Sequence, residues 1–295
     1  MDIEKIISLP KHHKKTFIAL LIVTFVVTLL ISHFVGGQQL KDLILDQVKS
    51  IASALITALL GLLIIVPFIP TPEKGESSEI QPSKITKEFE ILLSTATRWR
   101  YKGNFGRYLR GKVLPTLADR KNIHIIACLI DPRNKKLCES HAEYRAGINA
   151  IDKGTKYDAD IVAIQVVVTI ILSSWYVANK KMQIDLYLSS SYDPVRIDSN
   201  DEAMILTVED RRSPALKITK NHFTYEHYDL QMQTSREQSE KVNIGGMRKD
   251  INISEITVAD VEKVMETAAM TDLCKSLGAA KILAACQKSK NPYEN

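Results

Sequence analysis

The chain has 295 residues, 39 lysines and arginines against 34 acids, a net charge of +5 and 45% hydrophobic residues. That length buries a core without staples, and a modest positive charge suits an acidic membrane surface or a nucleic-acid partner without choosing between them. Cys128, Cys138, Cys274 and Cys286 form no C-x-x-C pair and have no histidine cluster beside them, so they read as reduced, mostly buried residues of a cytoplasmic protein, not as a metal or disulfide framework.

The N-terminal region carries two uncharged apolar runs, Thr16–Val35 and Ile51–Ile69. Each is long enough to cross a bilayer, since about 20 helical residues span a hydrocarbon core of roughly 30 Å. A signal peptide is the other reading of the first run, given the preceding Lys5, Lys11, Lys14 and Lys15, but the run is long for a signal and a second one follows. Basic residues before the first run and after the second (Lys74, Lys84, Lys87) place both termini in the cytoplasm. The connection Gly36–Ser50 carries Leu40, Leu43, Ile44 and Val48 at helical spacing, as an interfacial helix or an extension of a span. In the second run Ser53, Thr57 and Gly61 recur every four residues, a small-residue face for helix packing within one chain or between copies in a homo-oligomer. Neither run has an ionisable residue in its middle, which argues against an ion transporter.

Residues 71–85 are rich in Pro, Gly and Ser and read as a linker. The domain from residue 86 to 295 is expected to be α/β with a mixed sheet. Phe89–Thr95 reads as a strand, Phe105–Ala118 as a helix ending near Pro115, and Ile123–Ile130 as a buried strand closed by Asp131-Pro132. Lys135–Ile148 follows as a helix and Asp158–Ala178 as a long apolar one. Ile161–Val177 has a second reading as a third span, but Gln165, Thr169, Ser173 and Ser174 give it a polar stripe that a core helix explains. Gln183–Ser189, Ala203–Val208 and Ala215–Thr219 read as strands, and the aromatic stretch around His222 and His227 as strand and core. Residues 234–254 read as a loop. Two helices close the chain, the first opened by a capping box at Thr257-x-x-Asp260.

Arg98–Lys112 holds six basic residues and four aromatics with no acid, and reads as a strand-to-helix connection. Arg98, Trp99, Arg100, Tyr101, Lys102, Arg107 and Arg110 are therefore candidate binding residues. Arginines with glycines at a helix start bind anions such as nucleotides; with rings they bind single-stranded nucleic acid; near a bilayer they bind anionic lipid. A basic segment paired with acids of its own fold is the fourth reading. Asp131, at the carboxyl end of a buried strand, is expected to meet a ligand or one of these arginines, or to be a plain turn residue before proline. No phosphodiesterase, metalloprotease, hydrolase or kinase motif occurs, so no catalytic residue, metal or cofactor is expected.

The two apolar runs, the linker and the α/β domain, with Trp99-Arg100-Tyr101-Lys102-Gly103, Gly106-Arg107-Tyr108, Leu114-Pro115, Ile130-Asp131-Pro132 and Tyr144-Arg145, resemble the two-transmembrane effectors of bacterial anti-phage systems, in particular those encoded beside retron reverse transcriptases. The resemblance implies a toxin of the inner membrane. A complex of reverse transcriptase and its DNA–RNA product would hold it silent, and infection would release or cluster it to permeabilise the membrane. It supplies no catalytic residue. From the residues alone, a membrane effector gated by a small nucleotide at the basic segment and a tethered enzyme acting on phosphate, with Asp131 as acid or base, stand beside it.

Overall fold

The computed structural model describes residues 42, 45–51, 53–54, 56–57, 75–148 and 156–288. The chain divides into two units, Met1–Pro72 and Glu73–Asn295. In the first unit the described residues are α-helical, and the Thr57 hydroxyl donates to the Ser53 carbonyl at 2.9 Å. The run Thr16–Val35, most of the second run and Gly61 lie outside the described residues.

The second unit is built on an eight-stranded mixed sheet of order β1-β7-β6-β5-β2-β3-β4-β8. The strands are β1 (Ser77–Ile80), β2 (Arg98–Lys102), β3 (His124–Ile130), β4 (Gln183–Ser189), β5 (Val195–Ser199), β6 (Ala203–Val208), β7 (Ala215–Thr219) and β8 (Glu240–Lys241). β2, β3 and β4 pair in parallel at the centre, and the remaining pairings are antiparallel. The α/β expectation with a mixed sheet is met.

Eight helices accompany the sheet among the described residues: α1 (Ile85–Ser94), α2 (Leu114–Leu117), α3 (Lys135–Gly147), α4 (Ala159–Lys180), α5 (Phe223–Glu237), α6 (Val258–Thr267), α7 (Thr271–Leu277) and α8 (Ala279–Gln287). α4 begins where the Asp158 carboxylate accepts from the Ile161 N–H at 2.8 Å, and ends at Lys181 in the left-handed region. It packs against α3, α6, α8 and β4. Length and apolarity alone would let α4 cross a membrane, but 78% of its apolar window is buried inside the unit. Its polar stripe faces inward too, with Thr169, Ser173 and Ser174 fully buried. The larger core joins α4 to α1, α3, α6 and one sheet face. The opposite face has a smaller core, in which Tyr225 and Met232 of α5 meet Ile197, Met204, Leu206 and Ile218.

Several elements differ from expectation for local reasons. Phe89–Thr95 is helical, because Ile85, Phe89, Leu92 and Leu93 share a face at a period near 3.6 that a window opened at Phe89 conceals. The expected linker supplies β1, whose Ile80 is buried. Arg98–Lys102 is itself a strand, with Trp99 and Tyr101 inward and the cations between them outward. β5 was not expected. Around His222 the chain enters α5: His222 caps the helix by accepting from the Thr224 N–H at 3.3 Å, and Phe223 is 72% exposed. Three helices close the described chain instead of two, since Ala269 at φ +57° and Gly278 at φ +83° break the run. The Thr257–Asp260 capping box is present as expected. All four cysteines are free and buried.

Candidate functional site

β2 sorts the basic segment onto two faces of the sheet. On the α5 face, Arg100 donates to Asp229, to the Tyr225 hydroxyl at 2.6 Å and to the Asn200 carbonyl at 2.8 Å. Lys102 pairs with Asp193, and the more exposed Arg98 lies 3.6 Å from Asp201. These three cations are matched one for one by acids of the same fold, the fourth of the four sequence readings. Lys112 likewise lies 3.5 Å from Glu90. On the inner face Trp99 is fully buried, and the buried Tyr101 hydroxyl accepts from the Gly106 N–H at 3.2 Å. Burial pushes that hydroxyl's pKa well above the ordinary tyrosine range.

Gly106, at φ +70°, turns the chain from β2 into a helix. A Cβ there would stand 2.9 Å from Thr169 Cγ2, so both the conformation and the close approach call for glycine. Helical backbone then runs over residues 107–117, with a π-helical stretch at Leu109–Val113 before α2. Pro115 explains the widened turn: it has no N–H to offer the carbonyl four residues back, and its ring would crowd that carbonyl. Arg110, in the π stretch, is buried and acts as a strut. It donates to the Gln165 carbonyl at 2.9 Å, Thr169 Oγ1 at 2.7 Å, the Phe105 carbonyl at 3.2 Å and Gln165 Oε1. Burial and the neighbouring Arg107 pull its pKa down. Two members of the α4 polar stripe, Gln165 and Thr169, receive this guanidinium, while the Ser174 hydroxyl donates to the Ile170 carbonyl.

A cleft of about 470 Å³ opens beside that turn. Arg107, Arg145, Arg196 and Arg211 line it, together with Glu209 and Asp210. Three of these arginines are braced by rings. Arg107 lies 5.2 Å from the Phe105 centroid and 5.6 Å from that of Tyr157; Arg145 lies 5.0 and 4.8 Å from the same two. Arg196 sits 4.9 Å from Phe89 and 5.4 Å from Tyr108. Their polar partners fix them further: Arg107 donates to Tyr157 and to Gln165 Oε1 at 3.1 Å, and Arg196 to Asp198 at 2.5 Å. Arg145 pairs with Glu209, which also accepts from Asn104 at 2.9 Å and lies 3.4 Å from buried His141. Burial would raise the Glu209 pKa, but His141, Arg145 and Asn104 hold it down to about 2.

Pro82, Ser83, Ile85 and Thr86, at the entry to α1, also line the cleft. Lys84, the N-cap of α1, makes no side-chain cap; a 3-10 turn over Pro82–Lys84 leads into the helix, and the Ile85 N–H donates to the Pro82 carbonyl. Ser83 and Thr86, each with a hydroxyl, line the same cleft as the ring-braced guanidinium groups. The arrangement is chemically suited to an anion.

Of the sequence candidates, only Tyr101 and Arg107 line this cleft; Arg110 supports it from behind. Asp131 is elsewhere: both its oxygens engage Arg133, which also grips Glu240, so it meets neither a basic-segment arginine nor the cleft. Ser53 and Thr57 belong to the first unit. Arg145, Arg196, Glu209 and Arg211 were not candidates; only Tyr144-Arg145 carried a prior signal, through the resemblance.

No family model and no curated protein matches this chain. Among solved structures it is similar to TrmBL2, an archaeal chromatin protein whose structure shows a novel mode of DNA binding, with a TM-score of 0.33 and 15% identity over 70% of this chain and 69% of that one. A likeness this slight carries no argument about this chain's function.

Proposed function

We propose that the chain is a membrane-associated effector whose α/β unit reads a small phosphate-bearing ligand in the arginine cleft and passes that reading to its N-terminal segment. The observation that carries this is the set of three arginines held on aromatic faces around one cleft. A guanidinium already immobilised by a ring loses less freedom when it grips a phosphate. The cleft volume also lies within the range of small-molecule sites. The membrane part of the proposal rests on the two apolar runs and on the resemblance to two-transmembrane defence effectors.

The test uses the full-length protein purified in mild detergent. Calorimetric titration with inorganic pyrophosphate and a panel of linear and cyclic nucleotides should give saturable binding that Arg107→Gln weakens. Reconstituted into dye-loaded vesicles of anionic phospholipid, the protein should release dye on addition of the ligand that binds. Binding by no member of the panel, with reverse transcriptase and nucleic acid co-purifying instead, would replace the small-ligand reading with the partner-held one.

A further inference from the structure

Part of the cleft lining is the chain that leads out of β1. Pro82, Ser83, Ile85 and Thr86 line it, and Pro82 stands only two residues beyond the end of β1. β1 is the least secured of the strands that flank the cleft. It has four residues, pairs with β7 alone at the edge of the sheet, and buries only Ile80. Its start is tied by Thr219, whose N–H donates to the Glu76 carbonyl at 2.9 Å and whose hydroxyl accepts from the Glu76 N–H at 2.7 Å. The boundary of the N-terminal unit, Pro72, lies five residues before β1. A short, exposed edge strand is the kind of element that opens locally at small free-energy cost.

We infer that β1 and the turn after it form a ligand-set strap. An anion gripped by Arg107, Arg145 and Arg196 also meets the hydroxyls of Ser83 and Thr86, in the turn that leads into α1. Drawing that turn toward the arginines holds Ile80 in the core and seats β1 on β7. With the cleft empty, β1 opens more often, and residues 75–80 are released from β7. α1 itself stays in place, because Phe89, Leu92 and Leu93 are buried and Glu88 pairs with Lys217 of β7 at 2.8 Å. The moving part is therefore confined to residues 75–86. This inference rests on the anion reading of the cleft and adds the route by which the reading leaves the unit. It follows from linkage that whatever loosens β1 must also weaken the ligand.

The experiment is hydrogen exchange on the full-length protein in detergent, with and without saturating inorganic pyrophosphate, read by mass spectrometry on peptides covering residues 75–86. The expected result is about tenfold slower exchange in β1 with the anion, inside the ordinary range of site-to-site coupling, and no change in β3. Ile80→Val, which touches no anion, should weaken pyrophosphate binding several-fold while the fold is retained. Binding that leaves both the exchange of residues 75–86 and the affinity of Ile80→Val unchanged would overturn the strap but leave the cleft's anion reading intact. No binding of pyrophosphate or of any nucleotide would overturn the reading and the strap together.

Discussion

The two faces of the sheet differ in how closely rings back their arginines. On the α5 face, Arg98, Arg100 and Lys102 each find a carboxylate, in Asp201, Asp229 and Asp193. On the inner face, Arg107, Arg145 and Arg196 are backed by Phe105, Tyr157, Phe89 and Tyr108 around a cleft. A cation paired across a surface is largely neutralised and does little beyond holding two elements together. A guanidinium stacked on a ring is held in one plane, and Arg145 and Arg196 meet Glu209 and Asp198 as well. The same residue type is thus a fastener on one face and a candidate receptor on the other, and the pleat of β2 decides the face for its own residues.

The sharpest way to break the inner face is to remove its strut. Arg110→Ala strips the Gln165 and Phe105 carbonyls and Thr169 of a buried donor. Several charge-assisted hydrogen bonds vanish with no water to replace them, so the expected loss is about 3–5 kcal/mol of unfolding free energy. Chemical denaturation of the full chain measures it. A loss under about 1 kcal/mol would mean that the π-helical turn does not depend on this arginine.

Glu209 comes next. Replacing it with Gln leaves Arg145 facing a neutral amide in a buried setting, and should cost about 3 kcal/mol. The pH dependence gives an independent reading. The Glu209 pKa falls from 4.5 to about 2 on folding, so its contribution is fully present above 4.5 and is lost as pH falls through that value toward 2. Wild type should therefore destabilise over that window more steeply than Glu209→Gln, followed by circular dichroism. Parallel acid profiles would show that the carboxylate is not held by its partners.

How much of this was legible in the sequence depends on range. Strands and helices with a clear period were readable: His124–Ile130, Ala159–Lys180 and Gln183–Ser189 lie close to where alternation and apolar runs put them. The basic segment was visible as charge, but its sorting was not. Trp99 and Tyr101 alternate with Arg98, Arg100 and Lys102, which is a strand signature, yet the density of glycine and cations just after it suggests a loop. The cleft was the least legible part. Arg107, Arg145, Arg196 and Glu209 come from four elements or their flanks, far apart in sequence and joined by the sheet order β6-β5-β2-β3 and the helices that follow. No local spacing encodes that. Asp131 shows the converse: its position at a strand end was read correctly, and its partner two residues away, Arg133, was overlooked.

Arg107→Gln separates receptor from fastener. It keeps a polar side chain beside Tyr157 and Gln165 and removes the charge, so stability should change by less than about 1 kcal/mol. Affinity for a phosphate-bearing ligand should fall at least tenfold, since a charge-assisted hydrogen bond is worth about 1.5–3 kcal/mol. Titration calorimetry and denaturation on the same preparation supply both numbers. Equal losses in the two would make Arg107 a structural residue like Arg110.

The smallest effect is expected at Arg98, and it is informative because it is small. Its guanidinium is 51% exposed and sits 3.6 Å from an Asp201 carboxylate that is itself 39% exposed. Water and salt screen such a pair, and ordering two side chains offsets much of the attraction. Arg98→Ala should shift stability by no more than about 0.5 kcal/mol. It should leave ligand affinity within about twofold, because Arg98 lies on the α5 face and outside the cleft. The salt dependence of binding should be unchanged as well, whereas Arg107→Gln should flatten it. If Arg98→Ala instead weakened nucleic-acid binding and reduced its salt dependence by about one phosphate contact, the α5 face would be a contact surface in its own right. The pairing of its cations with Asp201, Asp229 and Asp193 would then be a resting arrangement that a polyanion displaces.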